Sequence, residues 1–572
     1  MKKYINLAML LVFVCGCKDS DKKQEKQLVT SSIMCAPVTT DKEWYKSEKK
    51  APLFDGLGDW RFTISTKDTL VQRYFDQGLV LAYGFNHAEA ARSFYYATKL
   101  DTTCAMAFWG YAYVLGPNYN AGMESDNYER AYDAIQKALE LSKNNTSEKE
   151  IALIEALAQR YVKEPVDDRL PLDVTYATAM KTVHDNYPDD ADVGTLYAES
   201  VMNLHPWDLQ DKEGKDKEWT PEIISVLENA LTAHPDHPGA HHFYIHAVEA
   251  SSTPERALNS AEAFDQGLVP NAGHLLHMPS HLYIRTGDYH KGTLANIQSI
   301  KVDSAYVTAC NAQGAYPLAY YPHNQHFMAA TATLEGNSKW ALYAADALQK
   351  NVNLKLMAEP GWGTVQHYYT IPYYVYVKFG KWDHILSMEN ERPDLDYPTA
   401  ILHYAKGMSY LGKGDTKAAK NELQALEKIA MKEELKDITI WDINTVYELV
   451  QIAHKVLKAE VLAQESKHLE SIALLKEAVV LEDGLNYNEP PDWFFSVRHY
   501  LGAVQLDAGQ YQEAVETYKQ DLSHLPKNGW ALKGLGLAYS KLGDLPNQKE
   551  TENHFKEAWM TADTELASSI IK

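Results

Sequence analysis

The stretch "RHYLGAVQLDAGQYQEAVETYKQDLSHLPKNGWALKGLGLAYSKLGD", residues 498–544, decides the fold. It sets Gly502 ahead of Gly509-Gln510-Tyr511, Ala514, Tyr518 and Pro526, then restarts with Gly536, Tyr539 and Gly543. Gly509 to Gly543 spans 34 residues. A period of that length, with small and aromatic residues at fixed places in two helix-length runs, marks a repeated helix-turn-helix unit. Small residues let the two helices of a unit approach, and aromatics fill the gap between units. The same frame recurs at 75–101, 282–293, 329–348, 375–386 and 401–427.

These units resemble the tetratricopeptide repeat family, most closely in the last two. The resemblance implies an all-α fold, a helical solenoid or superhelix covering most of residues 70–560, with irregular insertions at about 205–222 and 300–321. Helix turns are expected at Gly287, Gly336, Gly380, Gly414, Gly509 and Gly543. The chain divides into N-terminal repeats at 51–190, histidine-rich repeats at 191–390 and C-terminal repeats at 391–572.

Ahead of the repeats, MKK and the apolar run Ile5–Val14 lead into Val14-Cys15-Gly16-Cys17 and then an abruptly polar segment. This pattern reads as a signal peptide over 1–16. Its end resembles a bacterial lipobox, which implies cleavage after Gly16 and acylation (palmitate included) of Cys17. The polar tether, 17–50, begins Lys18-Asp19-Ser20-Asp21-Lys22-Lys23 and resembles the acidic export signal of Bacteroidetes lipoproteins. The expected location is the cell envelope, lipid-anchored in the outer membrane and exposed at the cell surface.

The 572 residues carry a net charge of −22, which becomes −24 once Lys2 and Lys3 leave with the signal. That balance argues against nucleic acid and against a basic membrane-binding face, so membrane contact is expected through lipid alone. After processing, Cys35, Cys104 and Cys310 remain besides Cys17, without the close spacing of a disulfide framework or a cysteine zinc site. No later apolar run is long enough to span a membrane.

The turn glycines supply a ruler. His274, His277 and His281 lie 13, 10 and 6 residues before Gly287; His323 and His326 lie 13 and 10 before Gly336; His367 lies 13 before Gly380. Upstream, with Ser252 at the turn, His242, His246 and Glu249 lie 10, 6 and 3 residues before it. At about 100° per residue these offsets share an arc of roughly 60°. Packing positions such as Leu276, Pro279, Ser280 and Tyr283 centre roughly 140° away. First helices line the concave surface of tetratricopeptide solenoids, so the resemblance implies a histidine-lined groove: His242, His246, His274, His277, His281, His323 and His326, with His367 at its edge. His241 and His403 fall on packing positions, while His234, His237 and His290 belong to loops or turns.

Neutral imidazole is the commonest protein ligand for zinc, copper and iron, and histidines four residues apart on a helix can share one ion. His242, His246, His277 and His281, with Glu249, are the candidate ligands of a divalent transition metal. His274, His323, His326 and His367 are further candidate groove residues. The metal-free alternatives are a groove that hydrogen-bonds a polar ligand and a merely polar surface. Neither "HFYIH" nor "HMPSH" carries the glutamate of the zinc-protease helix motif. The segment "YNEPPDWFFSVRHY" adds Glu489, Trp493, Arg498 and His499 as groove candidates, with Trp493 also suited to packing a repeat junction. His205 and Trp207, in the first insertion, are placed to cap the groove.

Two functional classes follow. One is a lipid-anchored scaffold whose groove binds a protein, small molecule or glycan, serving nutrient or polysaccharide utilisation. The other is a metalloenzyme, hydrolytic or oxidative, using the histidine groove as its active site. No phosphate-binding loop, serine elbow or nucleotide fingerprint stands in a supporting context, and the catalytic residues are not named by the sequence.

Overall fold

The computed structural model describes residues 42–47, 49–310 and 316–572. The signal segment, Cys17 and nearly all of the tether lie outside the described residues. From Thr69 to Ala558 the chain runs as successive helix-turn-helix pairs, each packed on the next, such as Pro238–Val248 with Leu258–Asp265 and Tyr321–Leu334 with Ser338–Asn351. The fold is an all-α tetratricopeptide-type solenoid. Among the described residues the sheet content is one two-stranded hairpin, Thr439–Ile440 with Asn444–Thr445.

The turns form where the glycines put them, whereas the helix of His242 and His246 ends at Val248, ahead of the turn expected at Ser252. Gly287, Gly336, Gly380, Gly414, Gly509 and Gly543 all have φ between 63° and 79°, a left-handed backbone that favours glycine. The following amide donates back to the last turn, as in Asp288 N to Tyr283 O (2.9 Å) and Asp544 N to Tyr539 O (3.0 Å), closing each first helix with a Schellman cap. Small residues permit close approach within the pairs: an added Cβ at Gly534 would stand 2.2 Å from Cζ of Tyr518, and one at Gly502 2.3 Å from the same atom.

First and second helices differ in burial. Every residue of Gly363–Lys378 and of Pro238–Val248 is buried, whereas Ser338–Asn351 buries only Ala341, Ala344, Ala345 and Leu348. A helix apolar on one stripe packs on one side; a helix buried all round is enclosed. The concave side is therefore an interior rather than an open groove. The C-terminal repeats help close the molecule by packing on the turns of the middle ones. Trp530 Nε1 donates to Thr333 O (2.9 Å) and Tyr289 OH to Pro526 O (2.8 Å). Gly287, Gly336 and Gly380 lie against Pro526, Trp559 and Ile571. Two large apolar cores result, one drawn from residues 51–320 and one from 284–571.

Candidate histidine centre

The segment that places His277 and His281 is broken on purpose by its sequence. Pro279 has no N–H to give to Leu275 O, and the helix divides into Gly273–His277 and Pro279–Thr286, joined at Met278. Across this joint His277 Nε2 and His281 Nε2 stand 2.8 Å apart. The preceding repeat brings His242 Nε2 to 3.2 Å from His274 Nε2. His246 joins this pair, and His323, from Tyr321–Leu334, joins the other. The ligand atoms of His242, His246 and His274 lie within 4.8 Å of one another, as do those of His277, His281 and His323, and those of His246, Glu249 and His281. All are buried; His323, at 9% exposure, is the most accessible.

Hydrogen bonding fixes which nitrogen faces inward. His242 Nδ1 contacts the backbone carbonyl of Tyr83, which can only accept, so this nitrogen carries the proton. Asn296 gives its amide N–H to Gly292 O (2.8 Å), leaving Oδ1 to accept from His277 Nδ1 (2.7 Å). Glu249 accepts from His246 Nδ1 (2.8 Å) through one oxygen and from His281 Nδ1 through the other. With Nδ1 donating outward, Nε2 of each of these four rings faces inward and presents a lone pair whenever the ring is neutral. His246 Nε2 is buried without a hydrogen-bond partner. Outward Nδ1–H bonds to carbonyl, amide and carboxylate are the arrangement that orients histidine ligands around metals. Two nitrogens each 2.0–2.1 Å from one tetrahedral zinc stand roughly 3.3 Å apart, close to the separation of His242 and His274.

Burial, reinforced by neighbouring imidazoles, holds His242, His274, His277 and His323 well below the usual imidazole range, in the neutral form that metals require. Burial also opposes charge on His281, but the carboxylates of Glu249 and Glu489 outweigh it and raise its pKa. Glu489 Oε2 lies 3.0 Å from His281 Nδ1. The Glu249 carboxyl, although buried, is held low by His281 and His246. Without metal, a proton on His281 separates its Nε2 from the lone pair of His277; a metal ion answers the same requirement.

His246, His274, His281 and His323 line a cavity of about 830 Å³ together with Tyr119, Asn120, Trp207, Tyr320, Trp441 and Glu489. Three aromatic residues seal the histidines from unusual backbone positions: Phe85 (φ 53°), Trp207 (φ 59°) and Trp441 (φ 55°). Phe85 sits 4.6 Å from His242 and 5.3 Å from His274, Trp207 5.7 Å from His246, and Trp441 5.9 Å from His323, centroid to centroid. Left-handed backbone costs of order 1–3 kcal/mol for such residues and collects at functional sites.

Several expected groove residues stand elsewhere. His326 and His367 face each other (5.4 Å) beside Phe494, with His367 Nδ1 on Tyr397 OH (2.8 Å), and neither lines the cavity. His499 belongs to a separate buried cluster with Lys378 Nζ (2.8 Å), Asn528 Nδ2 (2.8 Å) and Asp521 Oδ2 (3.1 Å). Arg498 is paired with Asp483, and Trp493 packs on Tyr374 and Tyr404. His499 meets the end of Gly363–Lys378, where its repeat packs on the turns of the middle repeats, and it does not line the cavity. Trp207 caps the centre, whereas His205 stacks on Trp219 at 3.6 Å. His241, between Ser260 Oγ and Pro235 O, and His403, on Glu422, are satisfied in place. His237 caps the N-terminus of its helix, and His290 sits inside Tyr289–Cys310 bonded to Glu335.

Phe85, Tyr119, Tyr320 and Trp441 were not legible as site residues. Each reaches the centre from a loop, a hairpin tip or an irregular helix, where no periodic offset marks it. One trace existed for Phe85, which occupies the turn position that glycine fills in later repeats.

No protein-family model matches the chain, and no curated protein matches it. Solved helical structures align along most of its length at low similarity. The human IFIT1 dimer with m7Gppp-AAAA has 13% identity and a TM-score of 0.29, covering 87% of this chain and 91% of that one. The APC/C hetero-tetramer Cut9-Hcn1 has 13% identity and a TM-score of 0.32, covering 86% and 80%. The structure of Naa15/Naa10 bound to HypK-THB has 12% identity and a TM-score of 0.21, covering 87% and 74%. Likeness at this level carries no functional information.

Proposed function

We propose that the protein is a metalloenzyme of the bacterial cell envelope, lipid-anchored through Cys17, whose histidine centre holds a transition metal (zinc, copper or iron) and meets a small molecule in the adjoining cavity. The observation that carries this reading is the inward convergence of imidazole Nε2 atoms, four of them, on His242, His246, His277 and His281, held there by outward Nδ1–H bonds. A structural metal site is closed on every side, while a catalytic one keeps a position open. Here histidines from both sides of the centre line a cavity, which favours the catalytic reading over a passive scaffold. The aromatic and amide walls suit a small organic substrate, and the acidic net charge disfavours nucleic acid.

When bound, the metal would supply Lewis-acid or redox chemistry. The chain's own part is to hold six imidazoles neutral or paired, to orient four of them through Tyr83 O, Glu249 and Asn296, and to exclude water with Phe85, Trp207 and Trp441. Metal analysis of purified protein tests the reading, with His246→Ala/His281→Ala expected to lose the ion while helicity is kept. Loading with Co(II) and adding azide then reads the open position: a changed visible spectrum supports catalysis, and an unchanged one indicates a closed structural ion. Protein that takes up no metal defeats the centre and leaves a lipid-anchored scaffold with a histidine-lined ligand cavity, the setting for nutrient or glycan capture.

A further inference from the structure

We infer that the centre is built for two metal ions, His242, His246 and His274 holding one and His277, His281 and His323 the other. The inference rests on the metal reading above and concerns how many ions that centre takes.

The two sets share no residue, and each brings its three ligand atoms within 4.8 Å of one another. Each spans two repeats: the first joins Pro238–Val248 to Gly273–His277, and the second joins the broken segment around Pro279 to Tyr321–Leu334. They lie side by side, with ring centroids 5.5 Å apart for His246 and His281 and 5.7 Å for His274 and His277. Six imidazoles exceed the four ligands that a tetrahedral ion accepts. Divided three and three, they give each ion a full imidazole set and one position left for water or a ligand.

The third grouping, His246, Glu249 and His281, draws one histidine from each set, and it is joined through Nδ1. Glu249 Oε1 accepts from His246 Nδ1 at 2.8 Å and Oε2 accepts from His281 Nδ1. A neutral imidazole that gives its Nδ1–H to a carboxylate retains only Nε2 for a metal. Glu249 is therefore an outer partner common to the two sets, fixing one ligand of each with one carboxylate. The remaining orienting groups divide in the same way, Tyr83 O serving His242 and Asn296 serving His277. Both sets also open on the same cavity, the first through His246 and His274, the second through His281 and His323. One small ligand there would meet both ions.

The test is a count. Purified full-length protein is stripped with chelator, loaded with Zn(II), dialysed and analysed for zinc per chain, with helicity followed by circular dichroism. The expected result is two ions for the native protein and one each for His242→Asn and His323→Asn. One ion in the native protein overturns the pair and leaves the single-metal reading standing; none overturns both. Loss of both ions from either variant with helicity intact also overturns the division into two sets. If one variant fails to fold, the native count and the other variant still decide.

Discussion

Replacing Asn296 with leucine removes the acceptor of one buried imidazole hydrogen bond while keeping a branched side chain of similar size. Asn296 and His277 are both fully buried, and the bond between them is 2.7 Å long. In the variant His277 Nδ1–H keeps only Ser280 Oγ, 3.2 Å away and already donating to His277 O. An unsatisfied buried donor costs about 1–3 kcal/mol, and the partial substitute places the expected loss of stability near the lower end. The larger effect falls on the metal. Freed from Asn296, the ring is no longer held with Nε2 inward, and loss of such an outer partner typically costs 10–100-fold in affinity, equivalent to about 1.4–2.7 kcal/mol. Competition with a chromophoric chelator measures affinity, and urea unfolding followed by circular dichroism measures stability. Gly534→Ala is the control, because it perturbs packing far from the centre. Unchanged zinc affinity in Asn296→Leu, or an equal loss in Gly534→Ala, would refute the orienting role.

Other expectations follow from separate features. Gly534→Ala forces the buried Tyr518 ring away from its hydrogen bond with Ser569; overpacking of this kind costs about 1–3 kcal/mol and outweighs the roughly 1 kcal/mol by which alanine favours a helix, so urea unfolding should show a net loss. At position 85 the residue must adopt φ 53°, so Phe85→Gly should be the more stable of the pair with Phe85→Ala, although it removes more atoms; the reverse order would discount the backbone strain. Burial lowers the Lys378 ammonium to about 7, against the opposing pull of Asp521, and His499 Nδ1 at 2.8 Å is its near neighbour. The unfolded chain then binds more protons than the folded one between about pH 7 and pH 10, so stability should rise with pH across that window, and Lys378→Met should flatten the rise in thermal unfolding. Cys17→Ser should move the protein from the membrane fraction to the soluble one or stall its processing, and unchanged membrane association would remove the lipid anchor from the proposal.

How much of this was legible depended on whether a residue obeyed the repeat. Turn glycines, and the offsets of His274, His277, His281 and His323 from them, report a local helical geometry that each repeat imposes independently, so counting residues recovers it; His242 and His246 were aligned through Ser252 instead, and reach the centre although their helix ends sooner, at Val248. Closure of the solenoid is a long-range event. It turned the expected groove into an enclosed centre, sent His499 and Arg498 to a different contact surface, and left His326 and His367 paired beside Phe494, off the cavity. Trp207 and Trp441 are placed by left-handed backbone in an insertion and a hairpin tip, outside the repeat, and Phe85 stands at a repeat turn where the other turns carry glycine. Glu249 was found as a member of the shared face, but its role emerged only when both of its oxygens were seen to serve different histidines.

The packing of Pro526, Trp559 and Ile571 on three successive turns has a consequence for how this chain can be altered. Open repeat arrays are modular: end units can be trimmed or duplicated, because each unit answers only to its neighbours. Here the helix pair Gly529–Leu542 and Leu545–Ala558 and the segment after it are bound to repeats some two hundred residues upstream, so the length of chain between the two is fixed by the need to reach back. Removing the final repeat would strip cover from the same middle repeats that carry the histidines, and inserting one would throw the three contacts out of step. A scaffold of interchangeable parts has in this way become a single cooperative body, with the part count set by the circuit rather than by the repeat.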